Sequence, residues 1–251
     1  MTKEELYSTL KERFTQVLNE NGLETEPVDV VCRALSPEEA IGSTKRKDYP
    51  ILTGKDVMIQ AQCRGSRGQA FTDAPAEFHG SLEDILALDL MGDPHSRGLF
   101  IAVLNAVMRS LGLAADTVHC RTDGPENCAG DMKACLAERW PDVRKVTLVG
   151  YQPALLAMLT ESGYEVRVLD LNPKNIGQVR CGRTVEDGAA VMQDAAAWAD
   201  LILCTGSTLT NGTMADYLSI DKEVVFFGIT AAGAARLLGL KRLCFADRYP
   251  G

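Results

Sequence analysis

The chain has 251 residues, 46% of them apolar, and a formal net charge of −8. This length suffices for one large domain or two of ordinary size. The acidic balance and the lack of a long basic run argue against nucleic acid as a partner. No apolar run is long enough to span a bilayer and the N-terminus is charged from the start, so we expect a soluble, cytoplasmic protein without a membrane partner.

The first part of the sequence predicts a helix, then strands, then more helices. Thr2 and Glu5 form a capping-box pattern, and the apolar periodicity after them predicts a helix that ends near Asn21. Residues 28–35 and 57–62 are predicted strands, and the polar, basic residues 43–49 are a predicted loop. Helices are predicted after Ser81 and over residues 97–111. This order is typical of an α+β domain.

Strict alternation of strands and helices begins near residue 144. Strands are predicted at 145–149, 165–169, 200–204, 223–227 and 242–245, with helices at 154–162, 189–198 and 231–238. This order predicts an α/β, Rossmann-like domain with a doubly wound parallel sheet. The irregular stretch 123–128 is the predicted boundary, which gives domains 1–122 and 123–251.

The most informative stretch is 201–213, an apolar run that turns abruptly polar. In an open α/β sheet, residues just past the carboxyl ends of the strands bind ligands. Hydroxyls, an amide and close-approaching glycine backbone there suit a small polar or anionic ligand. The alternative is an ordinary turn before a helix capped by Thr213 or Asn211. The candidate ligand-binding residues in this stretch are Thr205, Gly206, Ser207, Thr208, Asn211 and Thr213.

A second polar stretch spans residues 63–73. Its glycines and arginines are typical of an anion-binding loop, and the alternative is an exposed hairpin or omega-like loop. The candidate residues here are Arg64, Arg67, Gln69, Thr72 and Asp73. Asn105 lies among apolar neighbours in a predicted helix, so its amide is either a core hydrogen-bonding group or part of a site.

The turn at residues 150–153 raises the question of a dinucleotide. Gly150 is the only glycine of the G-x-G-x-x-G pattern that is present, and Tyr151 and Pro153 would fill the space of a pyrophosphate. Asp170 follows Gly150 by 20 residues, where a ribose-binding acid is expected, but one acid is a weak signal. NAD or S-adenosylmethionine binding is therefore only a minor alternative.

Eight cysteines occur, and no pair has the C-x-x-C spacing of a zinc ribbon or a thioredoxin-like motif. Without an export signal we expect free thiols. Cys120, Cys128 and Cys135, with His119, are the best local candidates for a transition or heavy metal ion, since thiolate and imidazole suit such ions. Their C-x7-C-x6-C spacing matches no standard site, and buried structural thiols are the alternative.

Five motifs together resemble the putative heavy-metal chelation domain family, a family of uncharacterised prokaryotic proteins. They are GQAFTD (68–73), GSLEDI (80–85), AVLN (102–105), VGYQP (149–153) and TGSTLTNGT (205–213). The resemblance spans nearly the whole chain. It implies an enolase N-terminal-like domain, then a Rossmann-like domain, with the site between them.

The preferred hypothesis is a cleft that binds a small polar or anionic metabolite or a metal complex. Residues 64–73 would close over 205–213, and Gly150, Tyr151, Asp170 and Asn172 would share the rim. The alternative is an enzyme, a lyase or transferase, with Asp73 or Asp170 as acid/base and Arg64 or Arg67 as anion clamp. A homo-oligomer is compatible with the sequence.

Overall fold

The computed structural model describes residues 1–24, 30–53 and 57–250, in which the chain is a mixed α/β protein with two β-sheets. The helices in these ranges are α1 (Lys3–Glu20), α2 (Pro37–Ile41), α3 (Pro50–Thr53), α4 (Leu82–Ala87), α5 (Pro94–Ser110), α6 (Gly124–Arg139), α7 (Pro153–Glu161), α8 (Gly188–Trp198), α9 (Thr208–Asn211), α10 (Met214–Leu218) and α11 (Ala232–Leu238). The strands are β1 (Val30–Leu35), β2 (Val57–Cys63), β3 (Ser66–Thr72), β4 (Phe78–Gly80), β5 (Lys145–Val149), β6 (Glu165–Asp170), β7 (Val179–Arg180), β8 (Arg183–Asp187), β9 (Leu201–Thr205), β10 (Glu223–Phe227) and β11 (Arg242–Leu243).

Helix α1 forms where the sequence predicts it. The Thr2 side chain accepts a hydrogen bond from the Glu5 backbone N–H, and the Glu5 carboxylate accepts one from the Thr2 backbone N–H. This reciprocal pair satisfies two donors that a helix N-terminus leaves free. The buried face of the helix consists of Leu6, Tyr7, Leu10, Phe14 and Leu18.

The first sheet is antiparallel, in the order β3-β2-β1-β4. Its strand β1 begins at Val30 in the described chain, and residues 28 and 29 of the predicted strand lie outside the described residues. Strands β2 and β3 form a hairpin whose two turn residues, Arg64 and Gly65, have φ of 50° and 75°. Positive φ at both positions is what a two-residue hairpin turn requires. Residues 63–73 therefore form a hairpin and not an extended loop.

Helix α5 runs between the two sheets and is buried from Ser96 to Met108. Strand β3 crosses it in backbone contact at Gly68, where a Cβ atom would lie 2.2 Å from the backbone N of Ala106. Only glycine fits this crossing without a shift of one of the two elements.

The second sheet has the order β11-β10-β9-β5-β6-β8-β7, and all neighbouring strands are parallel except β7 and β8. If β5 is numbered first and β7 is left out, the strands lie in the order 3-2-1-4-5-6, which is that of doubly wound sheets. From β5 the chain adds β6 and β8 on one side, and it then adds β9, β10 and β11 on the other side. The order in which strands are added to the sheet therefore reverses between β5 and β9. A ligand site is expected outside the carboxyl ends of the strands at such a point.

Both faces of the second sheet are covered. Val149, Leu169 and Ile202 belong to one apolar cluster with α5 and α8, and Val146 and Leu148 belong to another with α6 and α7. Alternate residues of a strand point to opposite faces, which explains why these strands read as unbroken apolar runs. Across the described residues, no helix is long and apolar enough to cross a membrane.

Candidate functional site

A cavity of about 740 Å³ lies at the carboxyl ends of the parallel strands, between the second sheet and the first part of the chain. The second half contributes residues that follow β5, β6, β9 and β10, such as Gly150, Asn172, Ser207 and Gly228. The first half contributes Ile41, Tyr49, Pro50, Ile51, Phe71, Thr72 and Asp73. The cavity thus occupies the edge of the sheet where the chain direction reverses.

The segment after β9 borders the cavity, and most of its hydroxyls bond within the segment. Thr208 Oγ1 donates to the carbonyl of Thr205 at 2.7 Å, and Thr210 Oγ1 donates to the carbonyl of Ser207 at 2.8 Å. Asn211 Oδ1 accepts from the backbone N and the hydroxyl of Thr213 at 2.9 and 2.7 Å. Local turns of this kind use the side chains to fix the backbone.

Ser207 differs from its neighbours. Its side chain makes no helix-capping bond, and its Oγ accepts only a long hydrogen bond, of 3.4 Å, from Thr205 Oγ1. Its hydroxyl hydrogen has no acceptor in the described part of the chain, so it is free to bind a ligand in the cavity. Gly206 beside it packs so close that a Cβ would lie 2.7 Å from the backbone N of Ala231.

Two helices of the first half hold this segment from behind. The Tyr7 hydroxyl on α1 donates to the carbonyl of Leu209 at 2.7 Å, and Arg97 Nε on α5 donates to the carbonyl of Thr210 at 2.7 Å. Burial raises the pKa of Tyr7 well above its usual range, so the phenol remains a donor. The first half therefore fixes the position of the cavity wall as well as contributing residues to it.

Asp170, at the end of β6, organises the rim. Its carboxylate accepts hydrogen bonds from the backbone N of Tyr151 at 3.0 Å, the backbone N of Asn172 at 2.7 Å and the Asn175 amide at 3.0 Å. The Tyr151 hydroxyl donates to Asp48 at 2.9 Å, which ties the rim to the predicted basic loop of the first half. Both oxygens of Asp170 already have partners, which disfavours a role in binding a ribose.

Gly150 starts this rim with a φ of +84°, and a Cβ there would lie 2.5 Å from Cγ2 of Thr205. The ends of β5 and β9 are therefore in close contact, as parallel neighbours at a point of chain reversal must be. Gly150, Tyr151, Asp170 and Asn172 all line the cavity, as do all six candidates from residues 205–213.

Of the candidate residues in the β2–β3 hairpin and just after it, some line the cavity and others do not. Thr72 and Asp73, at the end of β3, line the cavity, whereas Arg64, Arg67 and Gln69 do not. Both arginines are exposed near the hairpin turn. The predicted anion clamp is therefore not part of the cavity wall.

Gln69 is buried, and its amide is used by the fold. Its Nε2 donates to Gln60 Oε1 at 2.9 Å, and its Oε1 accepts from the backbone N of His119 at 2.7 Å. These bonds join β3 to β2 and to the strand-like approach to α6, so Gln69 is a structural residue.

Asn105 is fully buried, and its amide is fully used. Its Nδ2 donates to the carbonyls of Gln69, Ile229 and Thr230 at 2.9, 3.2 and 3.0 Å. Its Oδ1 accepts from the backbone N of Gly233 at 2.7 Å. Asn105 is not among the residues that line the cavity, and these bonds to buried backbone groups favour the structural interpretation of its amide.

The charged side chains on the cavity wall are all acidic. Asp73, Asp170 and Asp216 line it, and the described lining residues include no lysine or arginine. Asp73 is exposed and makes no hydrogen bond or ion pair with any described residue. Burial lowers the pKa of His119, which keeps this imidazole of the wall neutral at pH 7.

The four predicted metal ligands do not come together. Cys120, Cys128 and His119 line the cavity, but Cys135 packs in the apolar cluster around α6 and α7 instead. The third thiol of the wall is Cys244, which follows β11. Cys244 lies just past a strand end, where ligand-binding residues are expected in such a sheet. In the sequence it reads as part of the apolar run of the strand, which is why it was not singled out.

Cys120 and Cys128 belong to one cluster of packed side chains. Interaction with the Cys128 thiol and burial raise the pKa of Cys120, and interaction with the Cys120 thiol lowers the pKa of Cys128. Burial raises the pKa of Cys244 to about 12. Among the described residues, no group of three or more His, Cys, Asp or Glu side chains is arranged to hold a metal ion.

The model of the DUF364 family, described as "Putative heavy-metal chelation", matches residues 138–241. Two crystal structures are similar. One is of a protein with unknown function from the DUF364 family of Pyrococcus horikoshii, with 17% identity, a TM-score of 0.55, and 90% of this chain and 80% of that chain covered. The other, also of unknown function and from the same family, is from Desulfitobacterium hafniense, with 12% identity, a TM-score of 0.52, and 74% and 72% covered.

At these identities the likeness to the two structures shows a shared fold. No curated protein matches the chain. Over residues 138–241 the chain matches the family described as "Putative heavy-metal chelation", and the match confirms the family resemblance over this range, which includes the motifs at 149–153 and 205–213.

Proposed function

We propose that the cavity binds a small polar metabolite as its metal complex, and that the complex carries a net positive charge. The observation that carries this proposal is the charge of the wall, with Asp73, Asp170 and Asp216 and no basic side chain among the described lining residues. A carboxylate attracts a unit positive charge at about 4 Å by roughly 1 to 4 kcal/mol near a protein surface. The same wall repels a free anionic metabolite.

The size of the cavity supports a chelated ion over a bare one. A volume of about 740 Å³ is within the usual range for sites of small organic ligands. A bare divalent ion such as Zn²⁺ would need three or more protein donors around one point, and the described residues offer no such group. An ion held by a small chelator brings most of its ligands with it.

We further propose that the architecture is an enolase N-terminal-like domain over residues 1–122 followed by a Rossmann-like domain over residues 123–251. The order of the parallel strands supports the second assignment. The antiparallel first sheet with α5 on one face is compatible with the first. The cavity then lies between the two domains, where binding sites of two-domain proteins are common.

An enzyme, a lyase or transferase, is the second candidate. Asp73 favours it, because an exposed carboxylate without a partner at a cavity wall is available as an acid or base. NAD or S-adenosylmethionine is less well supported, because the Asp170 carboxylate is already occupied by three donors.

The test compares two Ni²⁺ complexes of opposite net charge by isothermal titration calorimetry. The polyamine complex with triethylenetetramine is positive, and the nitrilotriacetate complex is negative. We expect the positive complex to bind about tenfold more tightly or better, which corresponds to about 1.4 kcal/mol. Asp73→Asn should reduce this preference, whereas Asp142→Asn, the same change at an exposed residue away from the cavity, should not. Equal or tighter binding of the negative complex would refute the proposal.

A further inference from the structure

Three thiols form one wall of the cavity. Cys120 precedes α6, Cys128 lies in the second turn of α6, and Cys244 follows β11. They belong to one cluster with Ile229 and Ala246, which holds them between the end of the second sheet and the start of α6. Gly124 permits this approach, since a Cβ there would lie 2.8 Å from Cβ of Cys120.

The donors at this wall are soft. The nearby carboxylates have other partners, since Asp131 accepts hydrogen bonds from Arg248 and the Tyr249 hydroxyl, both at 2.9 Å, and Asp116 accepts one from the backbone N of Asp247 at 2.7 Å. His119 Nδ1 lies 2.5 Å from the carbonyl of Cys120, so that ring nitrogen is also engaged. Three thiols therefore predominate among the donors of this wall, and thiolates prefer soft ions such as Cu⁺.

We infer that Cys120 and Cys128 form a two-thiolate site for a soft monovalent ion, Cu⁺ or Ag⁺, on the wall of the cavity. Both cysteines belong to the same cluster of packed side chains, and both line the cavity. Binding replaces the two thiol protons, which leave to solvent, by two metal–sulfur bonds, and no electron is transferred. Such ions accept two thiolates in a nearly linear arrangement, whereas Zn²⁺ in structural sites takes four ligands.

The two-thiolate site lies on the wall of the cavity that the proposed function uses. It rests on the proposed function only through this shared location. It specifies the class of metal that the protein itself holds. In the proposed function the metal arrives inside a chelator, and the strand-end loops bind the complex. In this inference, by contrast, two protein thiolates bind the ion directly.

The experiment is anaerobic competition for Cu⁺ against bicinchoninate, followed by the colour of the copper–bicinchoninate complex. We expect the full chain to withdraw one Cu⁺ per molecule and to withdraw no Zn²⁺ from a chelator of matched affinity. Cys120→Ser and Cys128→Ser should each weaken Cu⁺ binding by about a hundredfold or more, because each removes a direct ligand. Cys135→Ser, on the same helix but away from the cavity, and Cys181→Ser, an exposed thiol, should keep the ion.

Copper binding that survives in both Cys120→Ser and Cys128→Ser would overturn the inference. X-ray absorption at the copper edge of the unmodified protein gives a test that does not depend on the folding of a variant. It should show two sulfur neighbours, and a nitrogen-rich shell would overturn the inference. Neither result bears on the binding of the Ni²⁺ complexes. The two-thiolate site can therefore fail its test while the preference for the positive complex stands. Equally, the preference for the positive complex can fail while Cu⁺ binding to the two thiolates stands.

Discussion

Asn105 shows how one buried amide connects three separate parts of the chain. It bonds to β3 through Gln69, to the segment after β10 through Ile229 and Thr230, and to the start of α11 through Gly233. All of these partners are backbone groups that have lost access to water around a residue with no exposed surface. Such groups are expensive to leave without a hydrogen bond.

Asn105→Ala should therefore lower the free energy of unfolding by about 3 kcal/mol or more, since several buried backbone groups lose their partner at once. Urea denaturation followed by far-ultraviolet circular dichroism measures the change. The matched control is Asn127→Ala, an exposed position on α6, where we expect a change within about 0.5 kcal/mol. A loss at position 105 no larger than at position 127 would contradict the structural role.

Single residues of the site were predicted unequally well from the sequence. The strand-end rule selected Ser207 and Asp170, because the position of a residue just after an apolar strand is a local property of the sequence. Asp73 was selected from the polar stretch 63–73, and it lines the cavity because it follows β3. Arg64 and Arg67 were misplaced, because the choice between a loop and a hairpin depends on pairing between strands. Cys244 was missed because its contact with Cys120 joins positions far apart in the chain.

At the scale of elements, the crossing of β3 over α5 sets the distance between the first sheet and the rest of the molecule. Gly68 lies at the crossing, and a Cβ there would come within 2.2 Å of Ala106 N, 2.5 Å of the Ala102 carbonyl oxygen and 2.6 Å of the Asn105 carbonyl carbon. All three atoms belong to the helix backbone. A change of side-chain rotamer moves neither a Cβ at position 68 nor these backbone atoms. The whole strand or the whole helix would therefore have to shift.

Gly68→Ala is expected to destabilise the protein by about 3 kcal/mol or more, at the upper end of the usual cost of overpacking. Gly130→Ala makes the same chemical change in an open, exposed position of α6 and should stabilise by up to about 1 kcal/mol, because alanine is the better helix former. Thermal unfolding of both variants separates the two effects. Similar melting temperatures for both variants would show that β3 and α5 are not in tight contact.

Elements with strong periodicity were predicted within a few residues, and weakly patterned ones were missed. Helix α6 begins with Gly124 and Pro125, which read as a turn, although proline is well tolerated in the first turn of a helix. Its buried residues are few, and much of its surface is exposed. The short elements β7, α9 and α10 have too few residues for any period to be recognised.

At the scale of the whole molecule, the two halves share one apolar core. Leu10 and Phe14 of α1, Phe100 of α5, and Ile202 and Phe226 of the second sheet belong to a single cluster of buried residues. The face of the second sheet that carries Ile202 is therefore covered in part by helices from the first half. A division into two units at residue 123 describes the topology, but that division passes through a continuous core.

We therefore expect the full chain to unfold in one cooperative transition, because neither half can open without exposing the shared core. Thiol alkylation in increasing urea, read residue by residue by mass spectrometry, is a suitable measurement. Cys32 and Cys63 report on the first sheet and Cys204 on the second, and all three are buried. Their midpoints should coincide, and in Asn105→Ala they should move together to lower urea. Separate midpoints for the two sheets would show that the halves are energetically independent, and the cavity between them would then be free to open without unfolding either half.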